Sequence, residues 1–403
     1  MTLAQRAHRF ATADQTLAVA AALSEDFRAE AGRRDAERAL PHRQVAALKT
    51  SGLLGLSVPI EFGGLGAPAT VVAEVFRLLA DADASVAQIP QSHFTLIELI
   101  KLQGTAAQQK FFYTLVLDGA LLANAQVERG PHPVNVDTTT LASVGPDFVL
   151  DGRKFYCTGS LFGDWLAVRA SVDPLGPPTA STAKAFAFVP ADTDGVHVVD
   201  DWDGMGQRTT ASGTVVLEQV AVPAEHVVPF SPIFDSVTLY GARAQLVHAA
   251  IDVGLATGAL AEGVRQAARA RAHFEADVAS AADDPTLIAV AGELTVTVRA
   301  AQALLADAAA KIDAAHADLN ADSAAEASVA VAVAKVAAAR AALQASSTLF
   351  ELGGTRSTTA SSNLSRYWRD ARTHTLHDAT RWKLQHIGRY TLSGTKPPRH
   401  GQL

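Results

Sequence analysis

The 403-residue sequence contains a single cysteine, Cys157. One thiol cannot form an internal disulfide framework or a cysteine-rich metal site, so both are excluded and a reducing compartment fits the chain. No uninterrupted apolar run reaches the ~18–20 residues of a membrane span. The basic N-terminal residues are followed by Asp14, Glu25 and Asp26, which do not fit the core of a signal peptide. We therefore expect a cytoplasmic protein that does not associate with a membrane.

A large excess of charge of one sign is also missing. Lys and Arg total 34 and Asp and Glu total 41, so the formal net charge is −7. This mild acidity gives no sign of a nucleic-acid surface. An apolar content of 48% and a charged content of 19% are typical of a globular protein. The length allows two or three domains of ~100–200 residues each.

Three compositional zones follow one another along the chain. Residues 1–117 are rich in Ala, Leu, Glu and Arg, which favours helices, and a Gly/Pro-rich loop at 59–68 interrupts them. Residues 118–232 contain short β-forming runs separated by Gly, Pro, Asp and Thr, which predicts a small antiparallel sheet or barrel. These runs are 148–150, 165–172, 185–189, 196–199 and 214–217.

The third zone, residues 233–403, is helical again. Its part from 245 to 347 is extremely alanine-rich, and alanine is the best helix former. The pattern predicts two or three long helices with a break near Asp283, Asp284 and Pro285. High genomic GC content is an alternative explanation for the alanines.

The densest group of chemically active side chains lies at 366–378, where three arginines, a tryptophan and two histidines occur within thirteen residues. On a helix, His374 and His377 would share one face because they are three positions apart. Imidazole titrates near neutral pH, so such a face can donate or accept protons. A solvated helix end is the alternative interpretation.

The order of helices, β insert and helical bundle resembles the acyl-CoA dehydrogenase superfamily. Four motifs in the family's order support the resemblance: PIEFGGLG at 59–66, DGRKFYCTG at 151–159, GMGQRTTASG at 204–213 followed by VAVP at 220–223, and LGGTR at 352–356. The resemblance implies an α+β, mostly α fold. Its parts would be an N-terminal helical domain (1–117), a middle β-barrel domain (118–232) and a C-terminal four-helix bundle with a flavin-site segment (233–403).

The C-terminal region departs from the dehydrogenases of that superfamily. They place a carboxylate base there, commonly a glutamate, but residues 372–380 read RTHTLHDAT and contain no glutamate. The ending WKLQHIGRYTLSG at 382–394, with PPRHG at 397–401, resembles the flavin-dependent monooxygenase branch. That branch includes dibenzothiophene monooxygenases and sulfur-acquisition oxidoreductases.

This branch implies a two-component monooxygenase of sulfur metabolism and desulfurization. A separate NAD(P)H:flavin reductase would supply reduced FMN, and O₂ would add to the flavin to give a hydroperoxide. That species would transfer oxygen to a small organosulfur substrate, while the protein binds, orients and shields the cofactor. The family also implies a homotetramer. The substrate, the number of oxygen atoms added and the choice between FMN and FAD remain open.

The resemblance also implies which residues act on the reacting groups. His93 and His377 match positions at the flavin pocket, where an imidazole can control protonation of the peroxide oxygen. Thr158 matches a hydroxyl that faces the flavin edge and can donate to it. His374 would support His377 from the adjacent helical turn. A core histidine for His93 and an ordinary strand threonine for Thr158 are the alternatives.

Further positions match cofactor contacts of the family. Asn124 matches a polar contact near the flavin ring, and Tyr156 and Trp202 match aromatic positions beside it. Arg271 and Arg356 match arginines that contact the flavin phosphate, partly from a neighbouring subunit. A turn asparagine, core aromatics and surface ion pairs are the alternatives.

We predict no metal site, because His374, His377 and Asp378 are too few ligands and their spacing matches no zinc motif. Two other functions stay open at this point. The chain could be an FAD-dependent acyl-CoA dehydrogenase or oxidase, which would need a carboxylate base. It could also be a non-catalytic paralogue or scaffold, which would have lost its flavin site.

Overall fold

The computed structural model of the protein describes residues 7–403, and residues 1–6 of the first predicted domain lie outside that range. Within residues 7–117, six α-helices precede the sheet, and helices are what the composition of the first zone predicted. They are α1 (Ala13–Glu37), α2 (His42–Ser51), α3 (Ala69–Ala82), α4 (Ala84–Gln88), α5 (Gln91–Gln103) and α6 (Ala106–Leu117). Helix α6 begins with a capping box, in which Thr105 and Gln108 satisfy each other's backbone N–H groups.

Eight strands form one curled sheet in the middle of the chain. They are β1 (Leu122–Ala125), β2 (Thr140–Val144), β3 (Asp147–Lys154), β4 (Trp165–Val172), β5 (Lys184–Pro190), β6 (Val196–Val199), β7 (Thr214–Val222) and β8 (Val227–Pro229). The order is β6-β7-β3-β2-β4-β5-β8, and β1 pairs with β4 in parallel. All five predicted runs lie in strands; β1, β2 and β8 were not predicted.

A buried ion cluster fixes the chain beside β1. The Lys154 ammonium lies 2.7 Å from Glu128, 2.9 Å from Asp137 and 3.1 Å from the Gln126 carbonyl. Arg169 binds Asp137 from the neighbouring strand at 2.8 Å. Because a buried charge must be paired, this cluster holds the segment after β1 against β3 and β4.

Five helices follow the sheet: α7 (Tyr240–Ala267), α8 (Pro285–Ala317), α9 (Ala321–Gly353), α10 (Ser365–His374) and α11 (Thr380–Ser393). Helix α8 begins at Pro285, and the side chain of Asp284 caps it by accepting the Thr286 N–H. The predicted break is therefore confirmed. The helix–sheet–helix order, which is the predicted α+β, mostly α fold, is confirmed as well.

Helix α7 joins the bundle to the N-terminal helices, because it packs against α3 as well as α8 and α9. Two glycines make the approach to α3 possible. A Cβ atom at Gly254 would lie 2.5 Å from the Arg77 carbonyl oxygen, and one at Gly258 would lie 2.5 Å from that of Asp81. Only hydrogen fits at either position, so the backbones of α7 and α3 are held in close contact.

Helices α7 and α8 are long and apolar enough, by length and composition, to resemble membrane spans. The apolar stretch of α7 is 83% buried inside the protein, as expected for a core helix. That of α8 is only 17% buried, and apolar side chains such as Ile288 and Val296 are exposed on it.

Candidate functional site

A cavity of about 710 Å³ lies between α5, the sheet, the start of α7 and the C-terminal segment. Its volume is in the range of small-molecule and cofactor sites. Its wall includes Asn124, His248, His377 and Gln402. No aspartate or glutamate lines it among residues 7–403. The segment 372–380 lacks the glutamate of the dehydrogenases, and its one carboxylate, Asp378, does not line this cavity either.

Asn124 lies on β1 and faces the cavity. Its side-chain N–H donates to the Tyr156 carbonyl at 3.1 Å, which fixes the orientation of the amide. Its carbonyl oxygen is buried and has no hydrogen-bond partner in the described part of the chain. A buried acceptor of this kind calls for a donor, and the N–H groups of a flavin ring would satisfy it. The structure thus places Asn124 where a ring contact is chemically suitable.

Thr158 lies at one end of a chain of hydroxyl groups. Its oxygen is 2.8 Å from that of Ser212, which is 2.7 Å from that of Thr210. Thr210 donates its single proton to the Gln207 carbonyl at 3.0 Å. Ser212 must then donate to Thr210, and Thr158 to Ser212. Thr158 then has only lone pairs left for a further partner, and it does not line the 710 Å³ cavity. Its contact with a flavin stays a prediction.

Tyr156 and Trp202 come together on the same side as this hydroxyl chain. Their ring centroids are 6.1 Å apart and the planes meet at 72°. The Trp202 indole N–H donates to the Gln207 carbonyl at 2.8 Å, the same oxygen that accepts from Thr210. The Tyr156 residue is 46% exposed, so part of its ring is accessible to a ligand. Neither ring lines the 710 Å³ cavity.

His93 does not reach the cavity. Its Nε2 lies 2.9 Å from the Leu54 carbonyl, and its Nδ1 accepts the Leu122 N–H at 3.1 Å. The backbone therefore occupies both ring nitrogens, and the side chain is fully buried. Burial lowers the pKa of His93 to about 4. We correct the expectation of a flavin-facing His93: it is a core histidine that ties α5 to β1.

His377 lines the cavity, but the predicted helical face is wrong because α10 ends at His374. His377 follows in the turn before α11, where its backbone N–H donates to the His374 carbonyl. The residue is exposed and lines the cavity, and its ring contacts the rest of the protein at His248, where the two ring centroids are 3.9 Å apart. Desolvation by that protein lowers the pKa of His377 to about 4, so the ring is neutral at pH 7.

His248, on α7, was not predicted. Its ring centroid is 3.9 Å from that of His377, and its Nδ1 lies 3.1 Å from Nε2 of His374. Burial, followed by repulsion from the two neighbouring imidazoles, keeps the pKa of His248 well below its ordinary value. His374 in turn binds Asp252, one helical turn from His248. The only signal in the sequence was that i, i+4 spacing of His248 and Asp252 on a helix.

Arg271 and Arg356 lie away from this cavity. Arg271 is exposed in the segment between α7 and α8, and Arg356 is exposed after α9. The Arg356 guanidinium donates to the Arg269 carbonyl, which brings the two segments side by side. Neither arginine lines the cavity of its own chain, so a phosphate contact by these residues stays a prediction.

Comparisons with known proteins agree with this arrangement. Two family models match: acyl-CoA dehydrogenase N-terminal domain over residues 14–120 and acyl-CoA dehydrogenase C-terminal domain over residues 246–382. The chain is 32% identical over 403 residues to the dibenzothiophene monooxygenase of Rhodococcus erythropolis, covering 96% of each. It is 31% identical over 391 residues to the probable FMNH2-dependent monooxygenase SfnC of Pseudomonas putida, covering 94% of this chain and 95% of the relative.

The fold is also similar to a solved structure. The crystal structure of FMN-bound TdsC from Paenibacillus sp. A11-2 superimposes with a TM-score of 0.90 at 30% identity, covering 96% of this chain and 100% of the other. The match includes both helical parts and the sheet between them.

Proposed function

Because the chain belongs to the flavin-dependent monooxygenase branch of the acyl-CoA dehydrogenase family, we propose that it uses reduced FMN and O₂ to oxygenate a small organosulfur compound. The full-length similarities confirm the branch predicted from residues 372–401. One observation of this structure carries the proposal: imidazoles line the cavity, and no carboxylate does so among residues 7–403. An acyl-CoA dehydrogenase would need a carboxylate base there.

The residues that would hold the flavin ring are those whose polar atoms lack a partner or point outward. The unpaired Asn124 carbonyl and the outward lone pairs of Thr158 would both accept from N–H groups of reduced FMN. Tyr156 would pack its exposed ring against the cofactor. When bound, FMN supplies the oxygen-activating chemistry.

The protein's own part is to control protons and water around the reacting atoms. His377 and His248 are neutral at pH 7, so each carries one N–H and one lone pair. Neutral imidazoles can orient an oxygen or sulfur group by hydrogen bonds without placing a formal charge beside it. Phe230 and Phe234 line the same cavity, and their apolar surface would limit the water in it.

A flavin reductase is the partner that this chemistry requires, and we place both proteins in the cytoplasm. We further propose a homotetramer in which Arg271 and Arg356 reach the cofactor phosphate of a neighbouring subunit. The outward apolar surface of α8 supports this, since Ile288 and Val296 are 55% and 67% exposed. Light scattering coupled to gel filtration should give about four times the 42.1 kDa chain mass; a monomer would contradict the proposal.

The function can be tested with purified protein, FMN, NADH and a flavin reductase, using dibenzothiophene as probe. We expect oxygenated product and little hydrogen peroxide. His377→Ala should divert NADH oxidation to hydrogen peroxide, because the cavity then loses an imidazole. His316→Ala is the control, since His316 lies on α8 outside this cavity.

Two results would contradict the proposal. One is desaturation of an acyl-CoA by the purified protein with an artificial electron acceptor. The other is unaltered coupling of NADH oxidation to product in the His377→Ala variant.

A further inference from the structure

Four buried side chains form a continuous row behind the cavity wall. His248 Nδ1 lies 3.1 Å from His374 Nε2, and His374 Nδ1 lies 2.6 Å from Asp252 Oδ1. The second oxygen of Asp252 accepts from the Lys335 ammonium at 2.6 Å. Asp252 and Lys335 are fully buried, and His248 and His374 are 2% and 3% exposed. The row therefore connects α9 through α7 and α10 to the cavity.

The charges of this row determine where its protons lie. The Asp252 carboxylate is paired with Lys335, and the nearby Asp378 carboxylate is paired with Lys383 at 2.7 Å. Neither carboxylate is therefore left over to balance a charge on His374. Neutral His374 must use its Nδ1–H to donate to Asp252. Its Nε2 then carries the lone pair and accepts from Nδ1–H of His248. A neutral His248 has no second N–H, so its Nε2 carries a lone pair.

The Nε2 lone pair of His248 has no other use in the described chain. The only neighbouring ring on that side is His377, and the two rings lie nearly face to face, with planes 32° apart. Hydrogen bonds to imidazole nitrogens form in the ring plane, so the stacked His377 ring is poorly placed to donate to it. His248 itself lines the cavity. The lone pair is thus left for a bound molecule.

We propose that His248 presents an unprotonated Nε2 to the cavity as a hydrogen-bond acceptor, and that Lys335 and Asp252 maintain this polarity through His374. His248 would orient a ligand that carries an N–H, O–H or S–H group, and the other three are positioning residues. The direction of the hydrogen bonds along the row, and with it the unprotonated Nε2 of His248, follows from these side chains alone. Only its use during oxygenation rests on the proposed function.

Asp252→Asn should reverse the direction of the hydrogen bonds along the row. With Lys335 still donating to the amide oxygen, the NH₂ group of the asparagine faces His374 Nδ1 and must donate to it. His374 then carries its proton on Nε2 and donates to His248 Nδ1, so His248 turns an N–H toward the cavity. Lys335→Met should give the same result by a different route, because the unneutralised Asp252 would hold a second proton on His374.

The experiment compares two probes of nearly equal shape, indole, which has an N–H donor, and benzothiophene, which has none. Their dissociation constants are measured by calorimetry on the flavin-free protein, so failure here is separable from failure of the proposed monooxygenase activity. One neutral hydrogen bond corresponds to roughly 2- to 13-fold in affinity. We expect the preference for indole over benzothiophene to fall by that factor in Asp252→Asn and in Lys335→Met.

Two further variants isolate the effect. In a His248→Phe background, Asp252→Asn should leave the probe preference unchanged, because the row then no longer ends in an acceptor. Asp83→Asn is the matched control: Asp83 is a buried partner of Arg34, outside this cavity, and the substitution should not alter the preference. Circular dichroism confirms that each variant is folded before titration.

Neutron diffraction of the deuterated wild-type protein gives a direct answer that depends on no variant. Deuterium on Nδ1 of both His248 and His374, with none on either Nε2, is the expected pattern. Deuterium on Nε2 of His248 would overturn the proposal. So would an unchanged indole preference in both folded variants.

Discussion

Asp370 gives a quantitative test of how the site is held in place. This carboxyl on α10 is buried and accepts the backbone N–H of Gln207 at 2.6 Å. Gln207 carries the carbonyl that organises the hydroxyl chain of Thr158. Burial is the main cause that raises the pKa of Asp370 to about 7, and repulsion from Asp35 is the next. Repulsion from Asp83 also raises this pKa, and the positive charge of Arg369 lowers it.

The sign of the pH effect follows from that pKa. A carboxyl whose folded pKa exceeds its unfolded pKa favours the folded state when protonated, and this preference is lost as the pH rises toward the folded pKa. With an unfolded pKa of 3.8 and a folded pKa of about 7, the wild-type protein is penalised by about 2 kcal/mol at pH 5 and about 4 kcal/mol at pH 8.

Asp370→Asn removes this penalty and keeps an oxygen that can accept from Gln207. Any cost of the new buried NH₂ group is the same at both pH values. The free energy of unfolding of the variant relative to wild type should therefore rise by about 2–3 kcal/mol between pH 5 and pH 8. Urea titrations followed by circular dichroism at the two pH values measure it.

The control is Asp192→Asn, in the exposed loop between β5 and β6, where no such dependence is expected. A relative stability of Asp370→Asn that is constant from pH 5 to pH 8 would refute the reasoning.

Three other outcomes follow from contacts described above or from the same region. Arg356→Ala should weaken FMN binding by about 1.5–3 kcal/mol, which is the value of a hydrogen bond to a charged group. An unaltered dissociation constant in a fluorescence titration would show that Arg356 does not belong to the phosphate site. Cys157, whose pKa burial raises to about 12, should resist Ellman's reagent at pH 8 until the protein unfolds, so rapid labelling of the native protein would show the burial to be wrong. Gly206→Ala should lower stability by about 1–3 kcal/mol, because its Cβ would overlap the Arg369 carbonyl, and calorimetry showing an equal melting temperature would contradict this.

The helical parts were predictable because their signals are local. The alanine-rich run, Pro285 and the capping Asp284 lie next to one another and determine where α8 begins. The four-residue β6 was predicted from its run of valines, but β1 (LANA) has no β-branched or aromatic residue and β2 (TLASV) has one only at each end. Strand β8 has three residues and contains Pro229. What makes them strands is pairing with distant segments, such as β1 with β4, which no local pattern reveals.

The site was less predictable because its contacts are long-range. The two ring nitrogens of His93 are hydrogen-bonded to the backbone of Leu54 and Leu122, which lie 39 and 29 positions away. The role inferred for His248 depends on its contact with His374, which lies 126 positions later in the sequence. Asn124 and His377 could be chosen from a resemblance, and the structure brings both to one cavity. Their roles toward flavin, like those of Tyr156, Trp202, Arg271 and Arg356, stay predictions.

Helix α7 unites two demands that many enzymes assign to separate elements. It carries His248 and Asp252, which belong to the row beside the cavity. Within the next two turns it also carries Gly254 and Gly258, which allow it to pack against α3. A larger residue at either glycine would wedge these helices apart and tilt the imidazole at the same time. Thermal stability and the coupling of flavin oxidation to oxygen transfer should therefore decline together in this enzyme. Directed evolution aimed at new substrates will have to leave the packing of α7 against α3 intact.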